Sequence, residues 1–204
     1  MPAAARATAK KYTWADFVGL DDDDRRELVD GALVEVELPT KWHENLVMLL
    51  GYFLQGWALQ RELRVLASAY KVRIRDDRGV MPDLQVLKES VYRASANDQG
   101  LVRGRPELVV EILSPSSGRH DRVRKVDWYA SIGVPEYWIV DVDDRVIQRL
   151  VLRGKHYLIA QSAVEDEVFR PESMAGLEIP LATLWGALPP PRAAKKVTRR
   201  AKKR

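Results

Sequence analysis

The sequence predicts an α/β fold, a mixed sheet flanked by helices and extended by β-hairpins. Three observations predict it. Residues 108–113, a Pro/Ser/Gly loop, a helical stretch near 119–132 and a strand over 136–142 follow one another as a βαβ unit. Such a unit makes its strands parallel with a right-handed crossover. Over residues 42–63 the apolar side chains Trp42, Leu46, Leu49, Leu50, Phe53 and Trp57 recur at the spacing of an amphipathic helix. Turns at Asp30-Gly31 and Gly154 each separate two short runs of strand character, the signature of hairpins.

Taken in order, Thr13 with Asp16 resembles a capping box opening a short helix over 14–20, and the acidic run 21–24 breaks it. ELVDGALVEV then forms the first hairpin, and the long helix follows. Residues 63–75 alternate in part, as in Lys71, Val72, Arg73, Ile74, Arg75, and read as one strand with a wet face. A turn at 76–79 leads to a strand over 83–87, then to the βαβ unit and a hairpin of 145–152 with 156–161. No internal repeat is present.

With 204 residues, 46% apolar and 30% charged, one globular domain with a sizeable core is expected over residues 12–188. Residues 1–11 are expected to be flexible, and 189–204 to be a proline stop with a disordered basic tail. Cysteine is absent, which excludes disulfides, thiol nucleophiles and cysteine metal sites. The N-terminal stretch has no apolar segment of signal-peptide type, and LVMLLGYFLQGWALQ is too short and interrupted to span a membrane, so a soluble cytoplasmic protein is expected. The net charge of +4 is carried by the tail: residues 192–204 hold eight Lys or Arg and no acid, which leaves −4 for the rest. Lys195, Lys196, Arg199, Arg200, Lys202, Lys203 and Arg204 are candidates for binding a phosphate backbone; a merely solvated tail has the same composition.

PELVVEILSPSS, residues 106–117, places Glu111 in the middle of an apolar strand. A run of this kind is buried on both faces, and an ionised Glu buried without a partner costs several kcal/mol, on the order of an unpaired buried charge. A cation, a donor network or a metal ion must stabilise it. Asp83 begins the preceding strong strand, so neighbouring strands can bring the two acids together. Two converging carboxylates completed by water suit Mg²⁺ or Mn²⁺. Asp121, Lys125 and Tyr129 recur every four residues and share a helix face. Lys125 can therefore meet an anion held near the acids, a combination suited to phosphodiester hydrolysis. Each residue also has a plainer reading: Asp83 as a turn residue, Glu111 paired with an Arg, and Lys125 in a surface pair with Asp121.

MPDLQVL (81–87), PELVVEILSPSS (106–117) and DRVRKVDWYASIGVPEYWIVD (121–141) together resemble the Uma-two family, predicted bacterial endonucleases of the PD-(D/E)XK restriction-endonuclease-like superfamily. The likeness runs over residues 12–186. It implies a restriction-endonuclease-like fold and DNA as substrate. Asp83 and Glu111 match the motif's two acids, metal ligands in the superfamily. The superfamily lysine would fall at Leu113; in this family its place is taken by Lys125 on the following helix. His43 and Glu44 fall where the family often has a histidine and the superfamily an auxiliary acid, and Asp121 and Tyr129 flank Lys125. The expectation is thus a Mg²⁺- or Mn²⁺-dependent endonuclease for DNA, in which the ion neutralises Glu111. The alternative is a non-catalytic nucleic-acid-binding protein that keeps the fold and binds through its tail, or an interaction module. Cleavage of both strands would favour a symmetric homodimer.

Overall fold

A computed structural model describes residues 10–21, 23–36, 38–68, 70–95, 101–113 and 119–188, with the side chains of 119–123 excepted. Helix α1 (Trp14–Val18) opens under the expected capping box, with the Thr13 and Asp16 side chains each bonded to the other's backbone N–H. Strands β1 (Arg26–Val29) and β2 (Ala32–Glu35) form the first hairpin. Asp30 and Gly31 turn it with φ of 51° and 82°, the left-handed values that an Asp-Gly turn supplies. Helix α2 (Lys41–Ala58) follows, then β3 (Leu63–Ala67), β4 (Lys71–Arg75), β5 (Arg78–Val80), β6 (Leu84–Lys88), α3 (Glu89–Ala94), β7 (Leu101–Val102) and β8 (Leu108–Leu113). Helix α4 (Arg119–Ser131) leads to β9 (Glu136–Asp141), the hairpin β10 (Val146–Arg153) with β11 (His156–Val164), the short pair β12 (Val168–Phe169) with β13 (Ile179–Pro180), and α5 (Leu181–Gly186).

Two larger sheets carry the fold. The six-stranded one has the order β11-β10-β9-β8-β6-β3, in which β8 and β9 are parallel and the other neighbours antiparallel. It is the mixed sheet and βαβ unit expected from the sequence. The five-stranded sheet, β2-β1-β5-β4-β7, was not foreseen as a separate layer. The expected single strand over 63–75 is in fact two, since β3 pairs with β6 in one sheet while β4 pairs with β5 and β7 in the other. The chain changes sheet after Ser68, a non-glycine residue at φ 33°. Alternation of side chains reports faces, not sheet membership, so the switch left no trace in the pattern. The long helix likewise stops at Ala58, short of residue 63.

One apolar cluster fills one face of the six-stranded sheet. Leu46, Leu50 and Leu54 of α2 pack there on Leu84, Val86, Leu108, Val110, Trp138 and Val140, and α5 adds Leu181, Leu184 and Trp185. The second cluster holds Val109 and Leu113 with Val72 and Val80 of the other sheet and Tyr129 of α4. Alternation along β8 therefore sends Leu108, Val110 and Ile112 to one side and Val109, Glu111 and Leu113 to the other. Close approach of layers shows at Gly79, where a Cβ would lie 2.7 Å from the rings of Phe17 and Trp14. Between β9 and β10 the buried Glu136 accepts from Arg149 at 2.9 and 3.1 Å, from Trp138 Nε1 at 2.7 Å and from Ser173 Oγ at 2.6 Å. That buried charge is fully paired and pins the loop bearing Ser173 to the sheet. Among the described residues no helix is long and apolar enough to cross a membrane.

Candidate active site

The candidate site forms where the start of β6 and the second half of β8 lie against α4. Those strands are antiparallel neighbours with Leu84 opposite Val110, so Asp83, one residue before β6, is carried to the level of Glu111. The Asp83 carboxylate is fastened there: Oδ2 accepts from the Ile112 backbone N–H at 2.7 Å, and Oδ1 lies 3.1 Å from His43 Nε2. His43 reaches it from the first turn of α2, a turn fixed by Thr40, whose hydroxyl accepts from the His43 N–H at 3.2 Å. Glu44 is half exposed and stands 3.9 Å from His43 Nδ1, at the rim.

Glu111 meets the residues that the helix spacing brought to one face. Lys125 Nζ donates to its Oε1 at 3.2 Å and Tyr129 Oη donates to the same oxygen at 2.6 Å. The ammonium and the hydroxyl therefore do part of what the sequence reading assigned wholly to a divalent ion. The surface-pair reading of Lys125 fails on the same contacts, because its side chain is only 13% exposed. Asp121 lies in α4, but its side chain is outside the described residues, as are the tail residues Lys195, Lys196, Arg199, Arg200, Lys202, Lys203 and Arg204.

Glu27 of β1 is a third carboxylate at the site, and sequence reasoning missed it. Its Oε1 accepts from Lys125 Nζ at 3.1 Å and from the Met81 N–H at 3.0 Å. It thus ties the five-stranded sheet to the segment leading into Asp83 and to Lys125 at once. In a short hairpin, Glu27 alternates with Leu28 and looks like an outward residue. β1, however, is an interior strand between β2 and β5, and the Glu27 side chain is 10% exposed. The signal that flagged Glu111, an acid inside a strand, was present here in weaker form.

The electrostatics follow from this packing. Burial pushes the Glu111 carboxyl up to about 7; Lys125 opposes the rise, while Asp83 and Glu27 add to it. For Lys125 burial disfavours charge, but Glu111 and Glu27 outweigh it and hold the ammonium well above its ordinary range. Burial, with the charge of Glu111, keeps the Tyr129 hydroxyl protonated far beyond neutral pH, so toward the carboxylate it acts as donor. His43 shows the same contest: burial lowers its pKa, and the hydrogen bond and charge of Asp83, with Glu44 and Glu111, raise it above the ordinary histidine value.

Three carboxylates thus face one ammonium and one imidazole, and Glu111 remains hard to ionise despite Lys125. A further cation would relieve that imbalance. Among the described residues no group of three or more His, Cys, Asp or Glu side chains is arranged to hold a metal ion. Two hard oxygen donors completed by water are nonetheless the usual protein share of a Mg²⁺ site, and Asp83 with Glu111 fit that share.

Residues 14–182 match the profile of the family described as "Putative restriction endonuclease". The chain belongs to the Uma2 family. That family is the Uma-two family of the resemblance, so its expected fold and nuclease class stand. A crystal structure of a "putative nuclease belonging to DUF820" from Anabaena variabilis ATCC 29413 is 17% identical, with a TM-score of 0.72 over 86% of this chain and 98% of that one. The shared fold is accordingly nuclease-like. A DrdV–DNA complex matches at TM-score 0.36 and 15% identity over 74% of this Uma2 chain and 14% of the other, a likeness too slight to establish a common fold. Comparison with curated proteins finds no match.

Proposed function

We propose that this chain is a metal-dependent endonuclease that hydrolyses phosphodiester bonds in DNA, with its nuclease unit spanning residues 12–188. The observation that carries the reading is the register that sets Asp83 opposite Glu111 on adjacent strands, with Lys125 bonded to one of them at 3.2 Å, in a chain of a nuclease family. Asp83 and Glu111 are the residues to hold Mg²⁺ or Mn²⁺. When bound, the ion polarises the phosphate and lowers the pKa of its water.

The chain's own groups do the rest. Lys125 has three N–H donors, and among the described residues Glu27 and Glu111 take two of them; the third is the one to meet negative charge developing on a phosphate oxygen. Glu27 and Tyr129 are positioning residues, holding Lys125 and Glu111 respectively. His43 orients the Asp83 carboxylate while the Ile112 N–H fixes its other oxygen. Glu44, at the rim, touches neither acid.

Incubation with plasmid, linear and single-stranded DNA under Mg²⁺ or Mn²⁺ tests the proposal. The wild type should cut, and Asp83→Ala and Glu111→Ala should each abolish cutting. Activity that ignores both substitutions belongs to a contaminant and removes the proposal, as does salt-sensitive DNA binding with no metal dependence and no cutting.

A further inference from the structure

We propose that the entry to α2 is a stacking platform for unpaired bases, and that the substrate of this site is DNA that is single-stranded or locally unpaired beside the bond to be cut. The inference rests on the DNA-cleavage reading and narrows it to a substrate class. Trp42 carries it. In sequence this residue opens the apolar stripe of α2, yet among the described residues it joins neither apolar cluster and is only partly buried. The next residue, His43, lies 3.1 Å from the Asp83 carboxylate. With consecutive Cα atoms about 3.8 Å apart, Trp42 belongs to the rim of the site.

The chemistry of three side chains selects the occupant. An indole offers a flat apolar face, and stacking on a base is the contact such a face makes with nucleic acid. The exposed Lys41 holds its ammonium 4.6 Å from the centroid of the Trp42 ring, a charge complementary to the phosphate joined to a stacked base. Leu38, in the connection from β2, is 75% exposed, the most of any large apolar side chain among the described residues. Five residues of chain keep it within ~18 Å of His43, about five base steps at ~3.4 Å each. In a continuous duplex every base is stacked between its neighbours and shows only its edge in the grooves. An indole and a leucine beside a phosphodiester site therefore find an apolar partner on bases released from that stack. The charged interior of the site meets the phosphate, and the apolar entry meets the base.

Fluorescence anisotropy in a chelator, where nothing is cut, reads binding of the full chain to a labelled single-stranded oligonucleotide of mixed sequence and to the duplex of the same sequence. The single strand should bind roughly 10-fold or more tightly. Trp42→Ala should weaken single-strand binding by about 10- to 100-fold, the range for losing one stacked base, and leave duplex binding within about twofold. Trp42→Phe, which keeps an aromatic face, should retain most of the affinity. Leu38→Ser should weaken the single strand several-fold, and because Leu38 is exposed it tests the platform even where Trp42→Ala does not fold, which circular dichroism melts reveal. Lys41→Ala should lower the slope of log affinity against log salt by about 0.7. Leu158→Ser, 58% exposed on the edge strand β11, should change neither affinity. Equal affinity for the two forms, equal losses on both, or folded Trp42→Ala and Leu38→Ser chains that bind the single strand as the wild type does would overturn the proposal. A chain that binds single strands through Trp42 and never cuts loses the nuclease reading alone, and one that cuts while failing these tests loses this inference alone.

Discussion

Glu111 is the residue on which the account turns, because its burial raises its pKa to about 7 from an ordinary 4.5. Between those values the folded chain keeps a proton that the unfolded chain has released, so stability falls as pH rises through that window. The loss is at most about 3–4 kcal/mol, at ~1.4 kcal/mol per pKa unit. His43, also raised, loses its contribution in the same direction at higher pH, above the ordinary histidine value of 6.5. Melting temperatures measured in a chelator should therefore decline from pH 4.5 to 7 in the wild type and far less in Glu111→Gln; parallel declines would show that Glu111 is not the titrating group. Lys125→Met, which keeps most of the stem, should slow single-turnover cleavage by about 10²- to 10³-fold while metal-induced stabilisation changes little. Glu27→Gln, which weakens the hold on Lys125, should cost about 10- to 100-fold in the same assay. Full activity in Lys125→Met would assign the charge role elsewhere. The neighbouring strand offers no ready substitute, since Lys71 is buried over the Phe17 ring and Arg73 pairs with Asp76.

At the scale of elements, the sequence was most legible where local pattern and tertiary role agree. The β8-α4-β9 unit, the capped α1 and both hairpins follow from periodicity and turn chemistry that the packing does not override. Two acids on neighbouring strands and a lysine on the next helix were legible for the same reason: strand adjacency and the four-residue helix repeat are local rules. Glu27 was not, because its importance depends on the five-stranded sheet folding over the site, and no local pattern announces which sheet a strand joins. Glu136 was hidden likewise, its partner Arg149 lying on the adjacent strand β10 and Ser173 in a later loop. Removing that partner is a direct measure of the network: Arg149→Met leaves a buried carboxylate without its guanidinium and should cost about 3–5 kcal/mol in denaturant unfolding. A loss below about 1 kcal/mol would mean that water or relaxation replaces the pair.

At the scale of the whole molecule, the two sheets and α4 converge on one acidic point while the opposite face of the six-stranded sheet is sealed by α2 and α5. Outside residues 192–204 the chain carries net negative charge, which works against the approach of a polyanion. The central claim is that Asp83 and Glu111 share one divalent ion. Thermal melting across a Mg²⁺ titration at neutral pH tests it most directly, because an ion that binds only the folded state raises its stability by mass action. The wild type should melt at progressively higher temperature as Mg²⁺ rises, and Asp83→Ala and Glu111→Ala should each show no such rise; an alanine variant at either position that responds to Mg²⁺ as the wild type does would contradict the shared site.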